Sequence, residues 1–139
     1  MMIIDIRKLN AQKKYSGNLE FEYLAPEYLI EIPYVKFSSP VKVVFSYELY
    51  EDDSIEIRGS VIYSLQGQCS RCLKEASMQV EGELDAYFEP RSDYEDYGYT
   101  NGIVDLKKAV EDAIMASMPF LVVCSDECGE IAYPMETEN

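Results

Sequence analysis

Four cysteines in two close pairs constrain this chain more than any other feature. Cys69 and Cys72 lie in Gln68-Cys69-Ser70-Arg71-Cys72-Leu73, and Cys124 and Cys128 lie in Val123-Cys124-Ser125-Asp126-Glu127-Cys128-Gly129. There is no other cysteine and no histidine. A tetrahedral thiolate site needs such an arrangement: each short turn aims two sulfurs into one small volume, and the fold brings the two turns together. The expectation is a structural zinc ion held by Cys69, Cys72, Cys124 and Cys128. Three other readings stand beside it: buried thiols without metal, one or two disulfides, and a redox pair in which Arg71 lowers a thiolate pKa. The second pair encloses three residues, not two, and is the less typical half of the pattern.

Size and composition narrow the setting. A chain of 139 residues with 47% apolar content is expected to form one domain, residues 1–139, with a substantial core. Charge follows the short apolar run Met1-Met2-Ile3-Ile4 instead of preceding it, unlike a secretory signal. No stretch approaches the ~20 apolar residues of a membrane span. The expected compartment is therefore the cytoplasm, where thiols stay reduced and metal is favoured over disulfide.

The net charge is −14 and unevenly spread. Residues 1–14 form a basic N-terminal segment with Arg7, Lys8, Lys13 and Lys14 against Asp5, so the rest of the chain is more acidic than the total suggests. An acidic body repels a phosphate backbone and attracts basic proteins. Any contact with RNA is expected through Arg7, Lys8, Lys13 and Lys14, and the body is expected to bind a basic partner.

Period-two alternation dominates the middle of the chain. Residues 2–6 read as a first strand, and Asn18–Tyr23 as a half-buried one. Leu29–Phe37, broken by Pro33, belongs at a sheet edge, and Ser38-Ser39-Pro40 reads as a turn. Val41–Leu49 and Ile55–Leu65 each put one apolar row on a single face, joined by the polar turn Glu51-Asp52-Asp53. Gly59 marks a candidate bulge. After Gln66–Ala76, which holds the first cysteine pair, alternation resumes from Met78 to Phe88 and stops at Pro90. The pair thus falls at the tip between two long antiparallel strands.

Arg91–Gly102, with Tyr94, Tyr97 and Tyr99 among acids, reads as an exposed loop. The period then changes. Leu106, Ala109, Val110, Ala113, Ile114, Ser117 and Met118 form one helical stripe. Asp105 is the expected N-cap, and Lys107, Lys108, Glu111 and Asp112 are expected to face out. Pro119 closes the helix. Phe120–Val123 leads into Cys124, and residues 130–139 form an acidic tail expected to fray. The fold class is α+β: a mainly antiparallel β-sheet with one principal C-terminal helix packed on it.

The residue inventory weighs against catalysis. Without histidine the usual general base near neutral pH is missing, and no Cys-His or Ser-His nucleophile pair can form within the chain. The seven glycines are scattered, with no phosphate-binding loop and no sign of a small-molecule substrate. A four-thiolate zinc leaves no open coordination position for water.

Several of these segments together resemble the YceD family: Gln68-Cys69-Ser70-Arg71-Cys72-Leu73; Leu84–Pro90; Ile103-Val104-Asp105-Leu106 opening a helix that ends near Pro119; and Cys124 with Cys128. The resemblance covers roughly residues 15 to 130. Bacterial and plastid members are implicated in accumulation of large-subunit ribosomal RNA, and the bacterial gene commonly neighbours that of a small large-subunit ribosomal protein. The resemblance implies a cytoplasmic, non-enzymatic accessory factor of ribosome biogenesis acting through protein binding, a ribosomal protein being one candidate partner. Two alternatives are a zinc-stapled interaction module without a ribosomal role and a dithiol oxidoreductase. Many relatives continue into Gly-Leu-Cys-x-x-Cys-Gly. Here Cys128 leads into Gly129-Glu130-Ile131 and no further cysteine, so at most four thiolate ligands exist.

Overall fold

Fourteen-residue strands on either side of the first cysteine pair form the spine of the molecule. In the computed structural model residues 2–32, 34–69, 74–91 and 97–119 are described. They give, in order, β1 (Ile3–Asp5), α1 (Ile6–Ala11), β2 (Ser16–Tyr23), a 3-10 turn at Glu27–Leu29, β3 (Val35–Phe37), β4 (Val41–Leu49), β5 (Ile55–Gln68), β6 (Glu75–Phe88), β7 (Ile103–Asp105) and α2 (Lys107–Ser117). This is the α+β class, antiparallel sheet plus one main helix.

β5 and β6 pair without interruption from Ile55 opposite Phe88 to Gln68 opposite Glu75. Along its other edge β5 pairs first with β4 and then with β3, and β2 closes that side by pairing with β4. β3 and β4 occupy one line of the sheet. Phe37 faces Leu65 and Lys42 faces Ile62, so the chain spends more residues than its partner between these points. The surplus at Ser38-Ser39-Pro40 bulges out, where Pro40 lacks the N–H a ladder would use.

Gly59 is not a bulge. Its neighbours keep an unbroken register, Arg58 opposite Ser46 and Ser60 opposite Val44. The reason for glycine is space: a Cβ there would lie 2.0 Å from the Val44 carbonyl oxygen and 2.5 Å from the Phe45 Cα.

Alternation assigns the faces. Val41, Val43, Phe45, Tyr47 and Leu49 of β4 are buried, as are Ile55, Ile57, Val61, Tyr63 and Leu65 of β5 and Leu84, Ala86 and Phe88 of β6. α2 covers this face, mainly over β6 and with some contact to β5. Its stripe of Leu106, Ala109, Val110, Ala113 and Ile114 is buried against the sheet. Burying each large aliphatic side chain contributes about 1.5–3 kcal/mol. Tyr63, 1% exposed, reaches α2 through its hydroxyl, which lies 2.8 Å from Ser117 Oγ and 3.3 Å from the Ile114 carbonyl oxygen. The Phe37 and Tyr63 rings pack in a T-shaped pair with centroids 5.7 Å apart.

The N-terminal segment departs from expectation. Its strand stops at Asp5, and a short helix follows. Asp5 Oδ1 accepts the Lys8 N–H at 3.2 Å and caps α1. Met2, Ile4 and Ile6 join the core. β1 pairs antiparallel with β7 in a second, two-stranded sheet.

Two further expectations are corrected. The loop after β6 is not wholly exposed, because Tyr99 is buried and donates to the Asp53 carbonyl oxygen. The Tyr97 ring packs 5.1 Å from Phe88 and under the Lys108 ammonium at 5.0 Å. Tyr94 lies outside the described residues, as do Pro33 and the tail 130–139. Second, Glu111 and Asp112 do not simply face solvent. Both are half-buried and accept tyrosine hydroxyls: Glu111 from Tyr23 and, at 3.3 Å, Tyr28; Asp112 from Tyr97 at 2.7 Å. The cap position of α2 is Leu106, and Asp105 supports the helix from one residue before it, accepting the Lys107 N–H at 2.9 Å.

Candidate functional site: a cysteine-bearing hairpin tip and two charged surfaces

The tip of the β5–β6 hairpin begins at Cys69. The Cys69 N–H donates to the Lys74 carbonyl oxygen at 2.7 Å, one step beyond the Gln68–Glu75 pair, so the ladder runs into the turn itself. Cys69 is fully buried and belongs to the core cluster. Both features fit a structural metal ligand: the sulfur is withdrawn from water, and the backbone carrying it is fixed by the longest strand pair in the molecule. Cys72, Cys124 and Cys128 lie outside the described residues. Among the described residues no group of three potential metal ligands converges.

Beside the tip, an open depression of about 610 Å³ is lined by Glu27, Tyr34, Lys36, Gln66, Gln68 and Glu75, among others. Its charged groups are of both signs and stand on exposed positions.

The basic residues of the N-terminus are placed by α1. Arg7 and Lys8 stand on the helix, Lys13 and Lys14 on the turn after it, and all four are exposed. Tyr47 donates to the Lys14 carbonyl oxygen at 3.3 Å, and the Asn10 amide donates to Asp53 Oδ1 at 3.0 Å. The basic patch is thus anchored to the β4–β5 end of the sheet, next to the acidic turn Glu51-Asp52-Asp53. In that turn the Ser54 hydroxyl and N–H both donate to Asp52 Oδ1 and lower its pKa.

Shifted tyrosines mark where loops and helix are pinned. Burial, reinforced by the hydrogen bond to Glu111, raises the Tyr23 pKa. Burial pushes Tyr99 up to about 12, with Asp53 and Asp52 adding to it. Burial also raises Tyr63, against the opposing effect of the Ser117 hydrogen bond. A tyrosine held protonated as a donor is a clamp. Sequence reading missed these acceptor roles of Glu111 and Asp112. For Asp112 the one legible signal is the tyrosine-rich stretch just before the helix; the donors to Glu111 lie 88 and 83 residues away and leave none.

Sheet, covering helix and cysteine-bearing tip define a small α+β protein in which, among the described residues, a helix covers one face of the main sheet. No described helix is long and apolar enough to cross a membrane. The profile of the family described as large ribosomal RNA subunit accumulation protein YceD matches residues 57–138, from within β5 to beyond α2. That is more than half of the 139 residues, and the chain belongs to the YceD family. No curated protein and no solved structure matches it.

Proposed function

We propose that this protein is a non-enzymatic accessory factor in accumulation of large-subunit ribosomal RNA, acting by binding a basic protein in the cytoplasm. The observation that carries the reading is the family match, which spans the hairpin, its tip and the covering helix. The charge supports the mode of action. A chain at −14 attracts Lys- and Arg-rich proteins, and ribosomal proteins have that chemistry. Contact with RNA belongs to Arg7, Lys8, Lys13 and Lys14, whose exposure on and after α1 suits phosphate binding.

Zinc is the stabilising element of this proposal. Cys69, Cys72, Cys124 and Cys128 would hold one ion, tying the hairpin tip to the chain after α2 and contributing directly to folding free energy. Burial of Cys69 favours a ligand over a redox nucleophile, since reactive thiolates sit partly exposed. The test is depletion: cells lacking the protein should lose large-subunit rRNA relative to small-subunit rRNA, and normal levels of both would refute the role.

A further inference from the structure

The two faces of the main sheet differ in cover and in charge. α2 and the core occupy one, while the other carries the opposite set of alternate residues. On β6 that set includes Glu81, Glu83 and Asp85, all exposed. Across β4 and β5, Glu48 and Glu56 stand directly opposite one another. Like charges in that relation destabilise a sheet. Glu20 and Glu22 extend the field onto β2. Among the described residues the cations on this face are Lys36, Lys42 and Arg58. Two of them are engaged within the sheet, Arg58 with Glu56 at 2.9 Å and Lys42 with Glu20 at 3.8 Å.

Charge excludes most occupants. A nucleic acid would be repelled by the surplus carboxylates, and a second copy would bring the same sign to the same surface. An apolar partner would strand the carboxylates without water. A cationic protein segment supplies counter-charge to the carboxylates of β6 and satisfies the face.

Spacing narrows the segment further. Glu81, Glu83 and Asp85 follow every second residue of a strand, about 6.5–7 Å apart along it. An extended chain with Lys or Arg at alternate positions has the same repeat. Beside this row Tyr50 and Tyr87 present rings 6.3 Å apart and more than a third exposed, a surface suited to stacking a guanidinium or ammonium.

We propose that the face of the β2–β4–β5–β6 sheet opposite α2 docks an extended protein segment bearing Lys or Arg at alternate positions, laid along β6 over Glu81, Glu83 and Asp85. The proposal rests on the reading that the partner is basic and assigns the face that reads it.

The probe is a fluorescent peptide of alternating lysine and serine, titrated with the intact protein at low and at physiological salt. Binding is expected at low salt and should weaken as salt rises. The triple variant Glu81→Lys, Glu83→Lys, Asp85→Lys should weaken it at least about tenfold. The milder set Glu81→Gln, Glu83→Gln, Asp85→Asn should fall between it and the unaltered protein, which guards against misfolding of the reversed one. A control with the same charge change elsewhere, Glu27→Lys, Glu31→Lys, Glu51→Lys, should bind nearly as the unaltered protein does. Equal loss in control and face variants would overturn the face while leaving a basic partner standing. No binding by the unaltered protein at low salt would overturn both.

Discussion

Gly82 sets how close α2 can come to the sheet, and replacing it by alanine gives a quantitative test of that contact. A Cβ at this position would lie 2.5 Å from Ser117 Oγ, 2.7 Å from Ser117 Cβ and 3.0 Å from Val61 Cγ2. Val61 is fully buried and cannot yield. Ser117 is held by its hydroxyl, which bonds the Ala113 and Ile114 carbonyl oxygens at 2.9 and 3.1 Å and lies 2.8 Å from the Tyr63 hydroxyl. Either α2 lifts or Ser117 rotates and gives up these bonds, so Gly82→Ala should cost about 1–3 kcal/mol. At roughly 2–4 °C per kcal/mol for a chain of this size, the melting midpoint should drop by about 2–12 °C. Ser117→Gly removes both colliding atoms. It costs about 1 kcal/mol itself, through helix propensity and the lost hydroxyl partner. In that background the close contact left is Val61 Cγ2 at 3.0 Å, and the lower chain entropy of alanine in the unfolded state offsets its cost by about 0.4–1 kcal/mol. Gly82→Ala should therefore cost distinctly less in the Ser117→Gly background than in the unaltered protein. Urea titration of the four proteins reads the coupling, expected at or above about 1 kcal/mol. An equal loss in both backgrounds would refute the steric account.

Two further outcomes follow from the same geometry. Tyr99 is pushed up to about 12 by burial, while an unfolded tyrosine ionises near pH ~10. Its contribution is thus fully present below about pH 10 and is lost as pH rises towards 12. Tyr99→Phe should flatten that alkaline decline in melting midpoint, though Tyr23 and Tyr63 are raised as well and will leave part of it; an unchanged slope would contradict the assignment. Cys69→Ala should lower zinc content from about one ion per chain in protein purified under reducing conditions, and should lower the melting midpoint with it. Elemental analysis finding no zinc in the unaltered protein would remove the staple.

Much of this fold is written in residue spacing. Val41–Leu49, Ile55–Leu65 and Met78–Phe88 alternate because each strand has one buried face, and the structure places them in one antiparallel sheet. The stripe from Leu106 to Ile114 recurs at three and four residues because one side of α2 is buried. The hairpin tip at Cys69 was legible for the same reason, since two alternating runs of matched length must turn between them. α1 was not. Six residues leave too short a period to read, and its support comes from Asp5 and from β7, about a hundred residues distant in the chain.

The sequence by itself determined which residues share a face and where the chain must turn, because burial selects side chains at the period of the backbone. Only tertiary structure decided what each face meets. It turned Glu111 and Asp112 from solvated helix residues into acceptors for Tyr23, Tyr28 and Tyr97. It made Gly59 a point of close strand approach, and it left the acidic side of the sheet without the helix that covers the other. Those outcomes depend on distances between segments remote in the chain, and no local pattern carries them.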